Sequence, residues 1–239
     1  MIEKIENIYT SYLDKAKNLM EYKALVTLPV FLLKDHPEVL EKFKVSIDYS
    51  MFSPIPIPEK QVDTNNFHST FDELEKNYLS TSCIEKLVSI YENFLFDIMK
   101  EIYVEYPQKL SSKKQIPISQ VLEAVNKEEL IYITIARELN EVKYESLSSW
   151  HSKLSNLFAI EPINLELTNK VIEIKSTRDL LVHNNGIIND IYISKTKERA
   201  RGEIGNPIFC DGDYFKDSWI VVVELMTEIK KSILEKYDK

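Results

Sequence analysis

Residues 84–102, IEKLVSIYENFLFDIMKEI, decide the fold class of this chain. Their apolar side chains recur every three or four positions, at Ile84, Leu87, Val88, Tyr91, Leu95, Ile98, Met99 and Ile102. This spacing gathers the apolar residues into a stripe along about five turns of an α-helix. The stretch therefore predicts one long amphipathic helix in the middle of the chain.

The same periodicity predicts helices on both sides of this one. A first amphipathic helix is expected from Ile2 to Leu19, and one or two more within residues 25–45, broken at Pro29 and Pro37. An irregular connection is expected at about 46–69. Further helices are expected at about 117–126, 127–141, 144–158, 163–184 and 214–237. The sequence therefore predicts an all-α helical bundle.

The four glycines mark the main irregular segment after the long helix. They are Gly186, Gly202, Gly205 and Gly212, all within 27 residues. We expect a short loop or hairpin at 186–212, and we expect no Gly-rich phosphate-binding loop before it. The predicted organisation is a helical extension with a Pro-rich connection at 1–69 and a helical domain at 70–239, which can together form one compact unit.

Composition limits the protein class. The chain has 239 residues and 44% hydrophobic residues, which is enough for a sizeable core and excludes a disordered protein. The densest apolar stretches, 25–33 and 220–223, are much shorter than the roughly 20 residues that a bilayer requires. The N-terminus lacks the apolar centre of a secretory signal. We therefore expect no membrane partner.

Charge and cysteine content indicate where the protein acts and how it could bind a polyanion. The net charge is −8, so nucleic acid would have to be bound by a local basic patch. Cys83 and Cys210 stand 127 positions apart, with neither a disulfide framework nor a paired metal-ligand spacing. This pattern predicts a cytoplasmic protein.

The helix that ends before Gly186 has the sequence NLELTNKVIEIKSTRDLLVHNNG at residues 164–186. On an ideal helix Arg178 lies at the centre of an apolar face. The other members of that face are Leu167, Val171, Ile174, Leu181 and Val182. A guanidinium stays charged, and its desolvation costs several kcal/mol unless it is paired. Arg178 should therefore either meet a buried carboxylate or line a cleft or subunit interface where a ligand can pair with it.

His183 follows on the last turn of the same helix, about 140° around the axis from Arg178. Only a cleft that surrounds this helix end could use both side chains. Asn184, Asn185 and Gly186 are residue types that end a helix in a left-handed turn. The alternative is structural: Arg178 is an ion-pair partner or extends to solvent, and His183 only caps the helix.

The segment from Arg178 to Gly186 resembles the R-x4-6-H signature of the HEPN superfamily. These are all-helical domains, many of which are RNA-cleaving toxins or effectors of antiviral defence. The match comprises Arg178, the polar Asp179 where the family more often has Asn, His183, Asn184 and Gly186. It is sharp over about 171–192 and looser over 70–237. The first 69 residues have no counterpart.

This resemblance implies a helical bundle of HEPN type and a metal-independent endoribonuclease without a cofactor. Arg178 would stabilise the charge on phosphorus, and His183 would transfer a proton from or to the RNA. Asp179, Asn184 and Gly186 would support the motif. Two subunits would pack so that their motifs share one cleft, which predicts a homodimer. An antitoxin or another defence-system protein would be a further partner.

A basic run follows the motif. Lys195, Lys197, Arg199 and Arg201 enclose a single acid, Glu198, and could bind RNA phosphates. The same run is also typical of a solvated loop. Two other functions stay open: a non-catalytic HEPN-like module that binds RNA, a nucleotide or a protein, and a plain helical scaffold or regulatory subunit.

Overall fold

The structure is a computed structural model that describes residues 1–34, 36–40, 45–47, 60–62, 66–111 and 115–237. Over these residues it confirms an all-α helical bundle. The helices are α1 (Ile2–Lys34), α2 (Pro37–Leu40), α3 (Phe67–Leu74), α4 (Ser80–Glu105), α5 (Ile118–Glu123), α6 (Lys127–Val142), α7 (Leu147–Phe158), α8 (Leu165–His183), α9 (Asp190–Thr196) and α10 (Gly212–Tyr237). Among them, none is long and apolar enough to cross a bilayer.

Short elements join some of these helices. A π-helical turn, Glu75–Leu79, connects α3 to α4, and 3₁₀ turns occur at Pro107–Lys109 and Lys197–Arg199. Strands β1 (Val45–Ile47) and β2 (Lys60–Val62) pair antiparallel, with Val45 opposite Val62. The expected irregular connection at 46–69 therefore contains part of this strand pair and the start of α3. The rest of it, including Pro54, Pro56 and Pro58, lies outside the described residues.

α4 is the central helix of the bundle. It packs against α1, α6, α7, α8 and α10. The consecutive residues Phe94, Leu95 and Phe96 are all buried, so α4 is covered well beyond the single stripe that its periodicity predicts. A helix that is apolar around most of its circumference is stable only when neighbours surround it. The core of the protein therefore forms around α4.

α1 runs without a break over Pro29, so the expected break at that residue is wrong. Ile5, Tyr12 and Ala16 are buried in the core that α4 and α10 share. The Trp219 Nε1 of α10 donates a hydrogen bond to the Ala16 carbonyl at 2.8 Å. Packing along most of its length offsets the one backbone hydrogen bond that proline removes near the end of the helix.

The glycine-bearing segment 186–212 also differs from the expected loop or hairpin. It contains α9, whose N-cap Asn189 accepts a hydrogen bond from the Tyr192 amide at 2.9 Å. A single antiparallel bridge between Ile187 and Pro207 closes the segment as a hairpin would. α9 has seven residues and buries only Tyr192 and Thr196, which is too short a pattern to show helical periodicity.

A buried histidine links three helices of the core. The His151 Nε2 of α7 lies 2.5 Å from the Tyr91 hydroxyl of α4, and its Nδ1 lies 2.9 Å from the Thr168 hydroxyl of α8. Burial lowers the pKa of His151 from 6.5 to about 4. The ring is therefore neutral at pH 7 and works as a hydrogen-bonding group between the helices.

We predict that this histidine makes the fold sensitive to mild acid. The unfolded chain takes up a proton at His151 below pH 6.5, whereas the folded chain does so only near pH 4. The free energy of unfolding should therefore fall as the pH drops from 6.5 to 4, by about 2 kcal/mol between pH 7 and pH 5. Urea unfolding at both pH values measures this change.

The matched variants are His151→Gln, which can still form hydrogen bonds but does not titrate, and His36→Gln at an exposed histidine. His151→Gln should lose about 2 kcal/mol less than the wild type between the two pH values. His36→Gln should keep the wild-type pH dependence. Equal pH dependence in the wild type and His151→Gln would contradict the assignment.

Candidate functional site

Arg178 lies on α8 within a cluster of charged side chains. Its Nη2 donates to the Glu92 Oε1 of α4 at 2.8 Å, and its Nε lies 3.3 Å from the Asp179 Oδ1. The Lys175 Nζ is 2.7 Å from the same Glu92 oxygen, and the Lys195 Nζ is 3.9 Å from the Asp179 Oδ2. These five residues form the Arg178 cluster, which holds three cations and two carboxylates.

Two environments were expected for Arg178, a carboxylate partner or a cleft or interface where a ligand pairs with it. In the structure Arg178 pairs with a carboxylate. The pair is not sealed in the core, since the Arg178 side chain is 18% exposed and that of Glu92 is 21% exposed. The expected apolar face is partly wrong, because Val182 is exposed. Half of the buried residues of α8 are polar, namely Thr168, Glu173, Ser176 and Thr177. The other half are Leu167, Val171, Ile174 and Leu180.

His183 is the last residue of α8, and its side chain is exposed. In the described part of the chain its ring has no hydrogen-bond partner. The backbone beyond it folds back, because the amides of Asn184 and Gly186 both donate to the Leu180 carbonyl, at 2.9 and 3.0 Å. Gly186 has a φ of 71°, a conformation that glycine adopts without strain. Asn184 and Gly186 thus support the turn that leaves His183 at the surface.

A groove between α7, α8 and α9 leads away from the Arg178 cluster. It consists of two adjoining cavities of about 230 and 560 Å³, which share Ser148, Ile172 and Lys195. Lys175, Asp179 and Lys195 of the cluster line the smaller cavity, and so do Leu147 and Ser148 in the first turn of α7. We call this feature the α7–α9 groove.

Not all four cations of the basic run line this groove. Lys195, Lys197 and Arg199 line the larger cavity. Arg201 points into the protein, where its Nη1 donates to the Phe209 carbonyl at 2.9 Å and its guanidinium stacks 3.6 Å from the centre of the Tyr214 ring. Three of the four cations are therefore placed to meet a ligand in the groove, and Arg201 is held by contacts within the chain.

The groups that hold Arg201 form a network around the buried Glu173 of α8, which the sequence analysis missed. The Glu173 Oε1 accepts hydrogen bonds from Thr177, Tyr192 and Arg201, at 2.7, 2.9 and 3.0 Å. The Oε2 accepts one from Tyr214 at 2.9 Å. Burial, followed by the nearby Glu173 carboxylate, raises the pKa of both tyrosines, so their hydroxyls stay protonated donors at neutral pH.

This network joins α8, α9 and α10 through one carboxylate, and we call it the Glu173 network. The available sequence signal is the position of Glu173, one turn before Thr177 and beside the apolar Ile174. An acid in such a position is buried only where several donors can reach it.

Comparison with known proteins finds no matching family model, curated protein or solved structure. Over the described residues, no group of three His, Cys, Asp or Glu side chains is placed to hold a metal ion. The resemblance to the HEPN superfamily therefore depends on the motif residues and their place at the end of α8.

We predict that Glu173→Ala lowers the free energy of unfolding by about 3 kcal/mol, because it removes the acceptor of hydrogen bonds from the buried Thr177 and Tyr192 and from Tyr214 and Arg201. Urea unfolding followed by circular dichroism measures the loss. The matched control is Glu166→Ala on the same helix, where an exposed Glu166–Lys170 pair at 3.0 Å should contribute less than about 0.5 kcal/mol. Similar losses in the two variants would contradict a structural role for the Glu173 network.

Proposed function

We propose that the protein is a metal-independent endoribonuclease of HEPN type, with its active site at the end of α8. The observation that carries the proposal is that three residues of the Arg178 cluster, Lys175, Asp179 and Lys195, line the α7–α9 groove. Cations follow one another from Lys175 through Lys195 and Lys197 to Arg199. A single RNA strand presents phosphates in series, so such a row can hold the strand in a chain whose net charge is −8.

The chemistry uses a nucleophile that the substrate supplies. His183 takes the proton of a ribose 2′-hydroxyl, and the 2′-oxygen bonds to the adjacent phosphorus. The bond from phosphorus to the 5′-oxygen of the next nucleotide breaks, and that oxygen receives a proton. Arg178 stabilises the negative charge on the non-bridging oxygens. The products are a 2′,3′-cyclic phosphate and a 5′-hydroxyl.

The ion pairs of Arg178 with two acids fit this role, because they position the guanidinium before RNA binds. Glu92 and Asp179 hold the guanidinium at the surface of α8. A phosphate that enters from the groove can add to these contacts or displace the longer one, to Asp179. The acid at position 179, where the resembling family more often has Asn, then serves to orient Arg178.

A homodimer completes the site in this proposal. The reaction needs one group to remove a proton and another to supply one, and each chain offers a single exposed histidine beside the motif. Close to His183 in the sequence, the apolar side chains Val182, Ile187 and Ile191 are exposed. We call these four residues the His183 face. Burial of this face between two copies would bring both histidines into one cleft.

The cellular role that follows is that of a toxin or an antiviral effector acting in the cytoplasm. An activity that destroys RNA has to be restrained in its own cell, so an antitoxin or another defence-system protein would bind the dimer. The groove and the His183 face are the surfaces that such a partner would have to cover.

A second candidate is an RNA-binding module of the same fold without catalysis. The observation that favours it is that Glu92 and Asp179 already neutralise Arg178. In this case the α7–α9 groove would hold RNA and His183 would take no part.

We predict that the wild type cleaves single-stranded RNA in the presence of EDTA, and that His183→Ala lowers the cleavage rate by about 100-fold or more because it removes the proton carrier. Gel analysis of an end-labelled transcript measures the rate. His36→Ala, at another exposed histidine, should cleave like the wild type. Binding of RNA by a wild type that does not cleave it would favour the second candidate, and equal cleavage by His183→Ala would remove His183 from the mechanism.

We predict that the wild type sediments as a dimer and that Val182→Glu combined with Ile191→Glu makes it a monomer, because charges would be buried at the His183 face. Analytical ultracentrifugation measures the change, and RNA cleavage should be lost with the dimer. Leu165→Glu is the control, since Leu165 is 72% exposed at the opposite end of α8. A monomeric wild type that cleaves RNA would contradict the shared cleft.

A further inference from the structure

A cavity of about 580 Å³ lies between α8 and α10, beside the turn that carries Glu198 and Arg199. Its wall is apolar where Ile174, Ile220 and Val221 contribute their side chains. This volume is typical of sites for small organic ligands. The cavity borders the α7–α9 groove at Glu198 and Arg199, which line both.

Ser218 of α10 is a buried polar residue at this cavity. Ser218 is 2% exposed and lines the cavity. Its Oγ has no hydrogen-bond partner among the residues that the structure describes. A buried hydroxyl without a partner is unfavourable, so a ligand that supplies one gains an interaction that the free protein lacks.

Two of the three cations that line the cavity are already paired. The Arg201 Nε lies 3.0 Å from the Glu173 Oε1, and the Lys170 Nζ lies 3.0 Å from the Glu166 Oε1. Arg199 is the remaining cation.

Three carboxylates at the cavity oppose Arg199. Glu198, Asp217 and Glu224 all line it, and none of them has an ion pair within the described stretches of the chain. With the two ion pairs set aside, the cavity has one cation and three carboxylates, a net charge of −2, which favours a cationic ligand. A single metal ion is a poor fit, because these residues do not form a group of three that could hold one.

The spacing of the two acids on α10 indicates how far apart the positive groups of the ligand are. Asp217 and Glu224 are seven residues apart, which on an α-helix is two turns and about 10 Å along one face. Val221 lies between them and is part of the apolar wall. A ligand that fits has positive groups separated by a flexible apolar chain.

We propose that this cavity binds a linear aliphatic polyamine, with ammonium groups at Asp217 and Glu224, methylene groups against Val221 and Ile174, and an N–H donated to the Ser218 Oγ. The residues that would contact the polyamine belong neither to the Arg178 cluster nor to the α7–α9 groove, so spermidine binding can be tested separately from the ribonuclease proposal. A lysine side chain of a partner protein offers the same alkylammonium chemistry with only one charge, so the two sources are distinguishable.

Calorimetric titration of the full chain with spermidine in 150 mM NaCl tests the site, because this salt concentration screens diffuse attraction. The expected result is saturable binding of one spermidine per chain. Asp217→Asn combined with Glu224→Gln should weaken binding at least 10-fold, and Ser218→Ala should weaken it several-fold. The control, Glu3→Gln combined with Glu6→Gln, makes the same change in charge at exposed positions on α1 and should bind like the wild type.

Titrations with N-acetyl-lysine methylamide and with MgCl₂ distinguish a polyamine from a lysine side chain and from a metal ion. Both should bind far more weakly than spermidine. Tighter binding of the lysine compound would overturn the polyamine in favour of a protein side chain. Equal weakening in the α1 control, or no saturable binding by the wild type, would overturn the site. Methyl NMR of Ile174 and Ile220 provides a readout for variants with altered stability, since spermidine should shift these signals only when it occupies the cavity.

Discussion

The burial of Phe94, Leu95 and Phe96 on successive sides of α4 requires neighbours around most of this helix, and α1, α6, α7, α8 and α10 provide them. One stripe of α4, which includes Lys86, Asn93 and Lys100, stays exposed. Glu92 interrupts this burial on the side that faces α8 and binds Arg178 at 2.8 Å. Its carboxylate is attached to the central helix of the bundle, so the contact that holds the guanidinium is anchored in the core. The candidate site thus takes its position from the same helix that organises the core.

Glu173 has the corresponding role on the other side of α8. Its two oxygens accept four hydrogen bonds, from α8 itself, α9, Arg201 and α10. By drawing Arg201 inward, this carboxylate leaves Lys195, Lys197 and Arg199 along the α7–α9 groove. The turn at 197–199 borders two recesses: the groove is lined by four cations and three acids, and the cavity by three cations and four acids. One buried acid therefore sets the charge pattern around the end of α8.

Local periodicity was enough to predict most helices, because α4, α6, α7, α8 and α10 each keep apolar residues at helical spacing. It failed where packing between distant segments decides the result. The partner of Arg178 is 86 residues away on α4, and the partners of Glu173 on α9, at Arg201 and on α10 are 19, 28 and 41 residues away. An ideal helical wheel placed Val182 on the apolar face, whereas the turn at Gly186 leaves it at the surface. Sequence spacing thus predicted the helix that carries Arg178, but the nearer of its two carboxylate partners, Glu92, comes from the tertiary fold.

The chemistry proposed for the end of α8 uses the 2′-hydroxyl of the substrate as the nucleophile, so the chemical groups at the ends of the cleavage products test it most directly. Mass spectrometry of a defined RNA oligonucleotide after incubation with the wild type in EDTA identifies those ends. The proposed mechanism yields fragments that end in a 2′,3′-cyclic phosphate and begin with a 5′-hydroxyl. Fragments with a 3′-hydroxyl and a 5′-phosphate, or an oligonucleotide that stays intact, would contradict it.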